Sequence, residues 1–318
     1  MSIPLSEDAR FLAALRPRRF HDEELLVGEG GNGRAGGAGG TEGTGEVLLL
    51  VEGAALLSAV TRFGPHDAVL LMAPAMLNLP LALAGARGVS VHRLAEGSET
   101  IAFPAEEARA LAFSTGPDGP PFRRLALATL AVAVRGANAS LSRFFESFAT
   151  ASPAPAKKED LPRSVPVDAG KARELFDAAG LDPAVLPALG LTARLVPSGG
   201  RLLSAGEAGD EAFLVAEGRL MVSILIPGAG REALAFAGPG EILGEMALVD
   251  DAPRSADVEA HGGPALVYAL SRRVFRALLD SGHPAGAALL GGVCVALCRR
   301  LEEALRKGAG FRLLSGPG

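Results

Sequence analysis

Leu50-Val51-Glu52-Gly53, with Ser58 just beyond, stands 165 positions before Val215-Ala216-Glu217-Gly218 with Ser223. The same offset carries Ala73-Pro74-Ala75 onto Gly238-Pro239-Gly240 without a gap. Further on, residues 91–111 fall on 258–278 at an offset of 167, ending in Arg109-Ala110-Leu111 and Arg276-Ala277-Leu278. The identities are few, but a spacing this constant reads as one unit written twice. The first copy is then two residues short between Pro80 and Val89. The glycine tract at 28–45 becomes an insertion in a turn, since glycine and small polar residues bury no apolar surface. Residues 151–168 (ASPAPAKKEDLPRSVPVD) hold four prolines and a charge run and read as an exposed linker. The expected organisation is 1–150, a linker at 151–168, and 169–318.

Each copy shows short β-type runs closed by Gly or Pro. In the second they lie at 201–204, 213–215, 220–226, 233–236 and 265–269. Helical periodicity falls at 171–179, 272–279 and about 285–306. Many strands at short spacing with helices only at the ends predict a mixed α/β fold with a β core. The expected form is two antiparallel β jelly-roll barrels, each with flanking helices. The net charge of -5 argues against a dedicated nucleic-acid surface. Two cysteines, Cys294 and Cys298, make no disulfide framework. The first 19 residues carry Glu7, Asp8, Arg10 and Arg16 and lack the apolar core of a secretory signal. A soluble, cytoplasmic protein is expected. The uncharged run at 68–86 is long enough to raise a membrane span, but it contains Asn78, Pro74 and Pro80 and reads better as buried strand and loop.

The chemistry concentrates in residues 244–256 (GEMALVDDAPRSA). Gly244 lets backbone approach a ligand. Met246-Ala247-Leu248 suits a single helical turn whose N–H groups favour an anion. Arg254 returns across the loop with a planar guanidinium suited to phosphate oxygens. Glu245 would repel a phosphate but accepts from a sugar hydroxyl. A donor cluster beside one acceptor describes a sugar phosphate.

This segment resembles the phosphate-binding cassette of the cyclic nucleotide-binding domain found in catabolite activators, protein kinase A regulatory subunits and cyclic-nucleotide-gated channels. The family pattern is Gly-Glu-x-Ala-Leu, a short loop, then Arg-(Ser/Thr/Ala)-Ala. The chain supplies Gly244-Glu245-Met246-Ala247-Leu248 and Arg254-Ser255-Ala256. Gly200, Gly206-Glu207, Asp210, Leu214 to Gly218 and Phe236 to Glu241 match on the flanks. The resemblance implies that Glu245 holds the ribose 2′-hydroxyl and Arg254 an equatorial phosphate oxygen. Ser255 and the N–H groups of Met246 and Ala247 would meet the remaining oxygens. Val222 and Leu234 would line the base pocket, and Arg300 on the last helix would pair with the cassette glutamate. Two hydroxyl residues that contact adenine in catabolite activators correspond here to Ala304 and Leu305, so the ligand is cAMP or cGMP. Asp250 and Asp251 set negative charge near the anion site.

The first copy lacks these groups. At the offset of 165, Leu79 and Pro80 replace Gly244 and Glu245. At 167, Arg87 falls opposite Arg254, with Gly88 in place of Ser255. No nucleotide is expected there.

Other patterns carry less. Gly31-Asn32-Gly33-Arg34-Ala35-Gly36 fits a dinucleotide fingerprint, but more glycines follow where a helix must start. His21-Asp22 and His66-Asp67 have no further ligand at metal spacing. Cys294 and Cys298 read as small core residues. Gly291-Gly292 mark a kink in the last helix. Its stripe of Leu290, Val293, Leu297, Leu301 and Ala304 packs on the protein's own barrel or forms a homodimer through this helix.

The sequence therefore points to a cyclic-nucleotide sensor without a catalytic centre, cofactor or metal. Ligand would reposition the helices at 272–308 and so control an interface with an unknown protein partner. A scaffold of two empty domains is one alternative. Another is a transcription regulator acting through a partner, because only 18 residues follow Arg300, too few for a helix-turn-helix. An enzyme of cyclic-nucleotide turnover would need a metal or general base that the sequence does not show.

Overall fold

The computed structural model describes residues 17–19, 25–27, 46–61, 64–85, 90–146, 161–178, 186–226 and 230–314. The glycine tract, Arg87, Gly88, His21, Asp22 and linker residues 151–160 lie outside the described residues. The chain divides into two compact units, residues 1–141 with 294–318, and residues 142–293. The expected boundary gave the whole last helix to the second half, whereas this division gives its later part to the first.

In chain order the first unit holds β1 (Pro17–Arg19), β2 (Leu25–Val27), β3 (Glu46–Glu52), β4 (Ala54–Thr61), β5 (Gly64–Met72), β6 (Ala75–Leu77), α1 (Leu79–Ala84), β7 (Ser90–Leu94), β8 (Glu99–Pro104), α2 (Ala105–Ala112) and most of α3 (Gly119–Glu146). Then follow β9 (Arg163–Val165), α4 (Ala169–Ala178), α5 (Leu186–Leu189), β10 (Thr192–Val196), β11 (Arg201–Leu203), β12 (Glu211–Glu217), β13 (Leu220–Ile226), β14 (Gly230–Ala237), β15 (Ile242–Leu243), α6 (Met246–Asp250), β16 (Asp257–Ala260), β17 (Ala265–Ser271), α7 (Arg272–Asp280) and α8 (Pro284–Leu314).

The first unit has sheets β1-β8-β3-β6 and β2-β7-β4-β5, and the second has β9-β10-β17-β12-β15 and β11-β16-β13-β14. Apart from the extra edge strand β9, the orders correspond strand for strand. The registers correspond too. Leu50 faces Thr100 and Val215 faces Val267, with a bulge directly after each pair. Leu57 faces Val69 and Val222 faces Ala235, again each followed by a bulge. The β4–β5 hairpin is one residue shorter past its bulge, because Ser58 faces Asp67 where Ser223 faces Ala233. The offset therefore becomes 166 after it, so Leu77 falls on Leu243 through their partners Leu48 and Phe213.

Alternation makes the second unit's core. Phe213 and Val215 of β12 and Val267 and Ala269 of β17 meet Leu220 of β13 and Val258 of β16 in one cluster. Ala212, Leu214, Tyr268 and Leu270 on the other face are also buried, because α7 packs against β12 and β17 and α4 against β12. The sheet therefore reads as nearly continuous apolar sequence, as two-sided burial requires. Among the described residues no closed barrel is detected. Each unit has two antiparallel sheets, with short edge strands such as β15 and β11, two and three residues long. The linker ends early, since Arg163–Val165 pairs with β10 and Asp168 accepts from the N–H groups of Gly170 and Lys171 at the start of α4.

Residues 68–85 of the uncharged run contribute to β5 and form β6 and α1, with Leu71, Leu77, Leu79 and Pro80 buried. Two other segments, 119–142 and 284–310, are long and apolar enough to cross a membrane, and 56% of the qualifying window in each is buried in the protein. Helix α8 runs through Gly291-Gly292 without a break. Its stripe of Leu290, Val293, Leu297, Leu301 and Ala304 is buried within the chain. Cys294 and Cys298 are buried free thiols, and burial pushes Cys294 up to about 12.

Candidate functional site

The cassette hangs between β15 and β16. Gly244 turns the chain at φ +79°, and Glu245 and α6 follow directly. The N–H groups of Leu248 and Val249 return to the Glu245 carbonyl, so those of Met246 and Ala247 precede the first helical hydrogen bond. Glu245 is only 1% exposed and Arg254 8%. The return leg is pinned to the turn before β12, with Arg254 N–H donating to the Glu207 carbonyl and Gly206 N–H to the Arg254 carbonyl.

The Arg254 guanidinium forks onto two backbone carbonyls, Nη1 to Gly244 O at 2.6 Å and Nη2 to Glu211 O at 2.7 Å. Burial lowers its pKa, while the carboxylates of Glu245, Asp210 and Glu211 favour its charged form. Two glycines make room for it. A Cβ at Gly209 would lie 2.3 Å from Arg254 Cζ, and one at Gly244 2.6 Å from Nη1. Either side chain would push the guanidinium out. The structure thus brings Gly244, Glu245, Met246, Ala247 and Arg254 together, with Ser255 half-buried beside Arg254.

Val222 and Leu234 meet at the β13–β14 bulge. Register passes from Val222 opposite Ala235 to Ser223 opposite Ala233, leaving Leu234 as the extra residue. Bulges of this kind re-aim a side chain beside a site. Val222 packs against the core cluster and Leu234 is buried. Arg300 stands on the part of α8 that groups with the first unit. So do Ala304 and Leu305, which line a small cavity there with Ala59, His66, Ala68 and Ala137.

The corresponding corner of the first unit is built differently. The hairpin's one-residue deletion corrects the sequence alignment: Asn78 falls on Gly244, Leu79 on Glu245 and Pro80 on Met246. Asn78 has the same left-handed turn, at φ +64°. The carboxylate is replaced by Leu79, 1% exposed, and a donor N–H is lost at Pro80. Asn78 Nδ2 donates to the Glu46 carbonyl at 3.4 Å, and Glu46 falls on Glu211, whose carbonyl takes Arg254 in the second unit. Asn78 Oδ1 can only accept, so His92 Nδ1–H donates to it at 3.1 Å. Burial holds the His92 imidazole neutral, with its pKa lowered to about 4. Among the described residues no group of three or more His, Cys, Asp or Glu is placed to hold a metal.

Sequence reasoning missed three groups around the cassette: the Gly209 and Glu211 carbonyls, and the arginines of α7. Backbone carbonyls carry no residue signature. The arginines, Arg272 and Arg276, carry one in their i,i+4 spacing after a strand.

Residues 193–281 match the family model of the cyclic nucleotide-binding domain. This segment is one such domain. It is 37% identical over 111 residues to the cyclic AMP receptor protein of Thermus thermophilus, covering 35% of this chain and 49% of that protein. A cyclic nucleotide-gated potassium channel of Mesorhizobium japonicum is 43% identical over 82 residues, covering 25% of this chain and 21% of the channel. Among solved structures, the catabolite activator protein of Thermus thermophilus is 34% identical, covering 44% of this chain and 62% of that one, with a TM-score of 0.35. The chain thus spans about half of one curated relative and a fifth of the other.

Proposed function

We propose that the second unit binds a cyclic nucleotide, cAMP or cGMP, and that the chain is a regulatory protein rather than an enzyme. The observation that carries this reading is the pairing of a nearly buried guanidinium, Arg254, with a buried carboxylate, Glu245, around one glycine turn. Arg254 offers a planar donor to an equatorial phosphate oxygen, joined by Ser255 and the N–H groups of Met246 and Ala247. Glu245 accepts from the ribose 2′-hydroxyl, and Val222 and Leu234 give the base an apolar wall.

The common strand order and registers support a duplicated module whose first copy has lost its ligand. There Leu79 offers no acceptor, and Asn78 with His92 fills the corner. Ligand in the second unit favours one position of α7 and α8, and that shift changes an interface with a protein partner in the cytoplasm.

Titration calorimetry with cAMP and cGMP, and 5′-AMP as the acyclic control, tests the reading. Saturable heat with a cyclic nucleotide, lost in Glu245→Ala, supports it. No heat with either would leave a scaffold as the function.

A further inference from the structure

We propose that Asp251, Arg272 and Arg276 are positioning residues that clamp the cassette to α7 and so set the affinity of the anion site. The proposal rests on the reading of that site as a cyclic-nucleotide pocket.

Asp251 ends α6 in a left-handed conformation, φ +56°. Its Oδ1 accepts from Arg272 Nη1, and both its oxygens accept from Arg276 Nη2, at 2.7 and 2.8 Å. Arg272 reaches two further groups with Nη2. These are the Gly209 carbonyl and, at 3.2 Å, the Ala247 carbonyl inside α6. Its own backbone N–H donates to Asp210 O at 2.7 Å. Gly209 is the residue against which the Arg254 guanidinium lies, and Glu211 two positions on holds Nη2 of Arg254. Arg272 therefore holds both walls of the Arg254 slot, the 209–211 backbone on one side and the cassette helix on the other.

The first unit is a control within the same chain. Through the registers of β8 and β17, Ala105 falls on Arg272 and Arg109 on Arg276, and through those of β6 and β15 Gly85 falls on Asp251. Gly85 has the same left-handed backbone, at φ +67°, where glycine is unstrained. Aspartate at the equivalent place in the second unit is strained relative to glycine, and its carboxylate offsets that cost only through the arginines. The clamp occurs in the unit that has the cassette Arg and Glu, and its key members are missing from the unit that has lost Glu. It also answers the concern that Asp251 would repel an anion, because its charge is faced by two guanidinium groups.

The test uses the full chain and two variants, Asp251→Gly and Arg272→Gln, with calorimetry for cAMP and cGMP, thermal melting, and hydrogen exchange of ligand-free protein at 246–250. Asp251→Gly relieves backbone strain, so a merely structural aspartate would leave affinity unchanged and raise the melting point. The clamp instead predicts faster exchange at 246–250 and affinity about three- to fivefold weaker, the order expected of an exposed ion-pair network, with no loss of melting temperature. Arg272→Gln loses charged donation to two carbonyls and should weaken binding about tenfold or more. Unchanged exchange in both variants overturns the clamp, whatever the ligand result. Faster exchange with unchanged affinity overturns its role in binding. If the unaltered chain binds neither nucleotide, the pocket reading falls, while the exchange arm still decides whether the clamp holds the cassette.

Discussion

Replacing Arg254 separates the two duties the structure gives it. With 8% exposure, its guanidinium bonds the Gly244 and Glu211 carbonyls at 2.6 and 2.7 Å and stands as counter-charge to the buried Glu245. Arg254→Ala leaves two carbonyls without their donor and the buried Glu245 carboxylate without its counter-charge. Breaking a buried charged arrangement of this kind costs about 3–5 kcal/mol. That is a large share of the ~5–15 kcal/mol by which a domain is stable, so lost binding in Arg254→Ala would be ambiguous. Arg254→Lys is the sharper variant. An ammonium keeps the charge but is a point donor that cannot fork between the two carbonyls and a phosphate. It should lose about 1–2 kcal/mol of stability, one hydrogen bond's worth, and fold normally. Its affinity for cyclic nucleotide should fall about 10- to 150-fold, the equivalent of one charge-assisted contact at 1.5–3 kcal/mol. Urea unfolding gives the first quantity and calorimetry the second. An Arg254→Lys protein that binds within twofold of the unaltered chain would refute the assignment of Arg254 to the phosphate. An Arg254→Ala protein as stable as the unaltered one would refute its structural duty.

Glu245→Gln should weaken cAMP about tenfold or more, while 2′-deoxy-cAMP, lacking the hydroxyl, should lose little further affinity in that variant; calorimetry on both ligands checks this. Burial keeps His92 neutral with a pKa near 4, so between about pH 6.5 and 4 the unfolded chain takes up a proton that the folded chain refuses. Stability should therefore fall as pH drops through that window, by about 3 kcal/mol over some 2.5 pH units, and a His92→Gln variant should lack this share of the slope in denaturant titrations. A Cβ at Gly136 would lie 2.7 Å from both γ-carbons of Val69, so Gly136→Ala should destabilise the first unit by about 1–3 kcal/mol, seen as a lower melting point. As a regulator rather than an enzyme, the chain should return cAMP intact by chromatography after overnight incubation, and any turnover would refute that part of the proposal.

What could be read from the sequence was what local chemistry alone decides. Gly, Pro and alternation place β13 at 220–226 and β17 to within two residues, and α7 to within one. The cassette was legible because Gly244, Glu245 and Arg254 each owe their identity to a local demand: a left-handed turn, an acceptor and a fork. Strands β10, β15 and β16 escaped the reading. Register escaped as well. The one-residue difference between the β4–β5 and β13–β14 hairpins leaves no mark on composition, yet it moves Leu79, not Pro80, onto Glu245. The destination of α8 escaped entirely. Ala304 and Leu305 look like any apolar helix residues, and only tertiary packing groups them with the first unit.

The two corners within one chain share a fold but not a binding chemistry. Both units set a left-handed residue after the strand and a short helix behind it, and both place a backbone carbonyl, of Glu46 or Glu211, in the same register. In the first unit that carbonyl is met by a neutral carboxamide, itself backed by an imidazole that burial keeps uncharged. Such a corner needs no counter-ion and no bracing. In the second it is met by a guanidinium, which must be kept charged while nearly buried. Three carboxylates nearby favour that charge, two glycines make room for it, and Arg272 secures the backbone on either side. A site of this kind is thus a property of the whole set. Grafting glutamate at Leu79 alone should bury a carboxylate beside Asn78 and His92 with no guanidinium to answer it. The expected result is a less stable first unit that still binds no nucleotide. A Leu79→Glu chain with two calorimetric sites would show instead that one acceptor on this scaffold is enough.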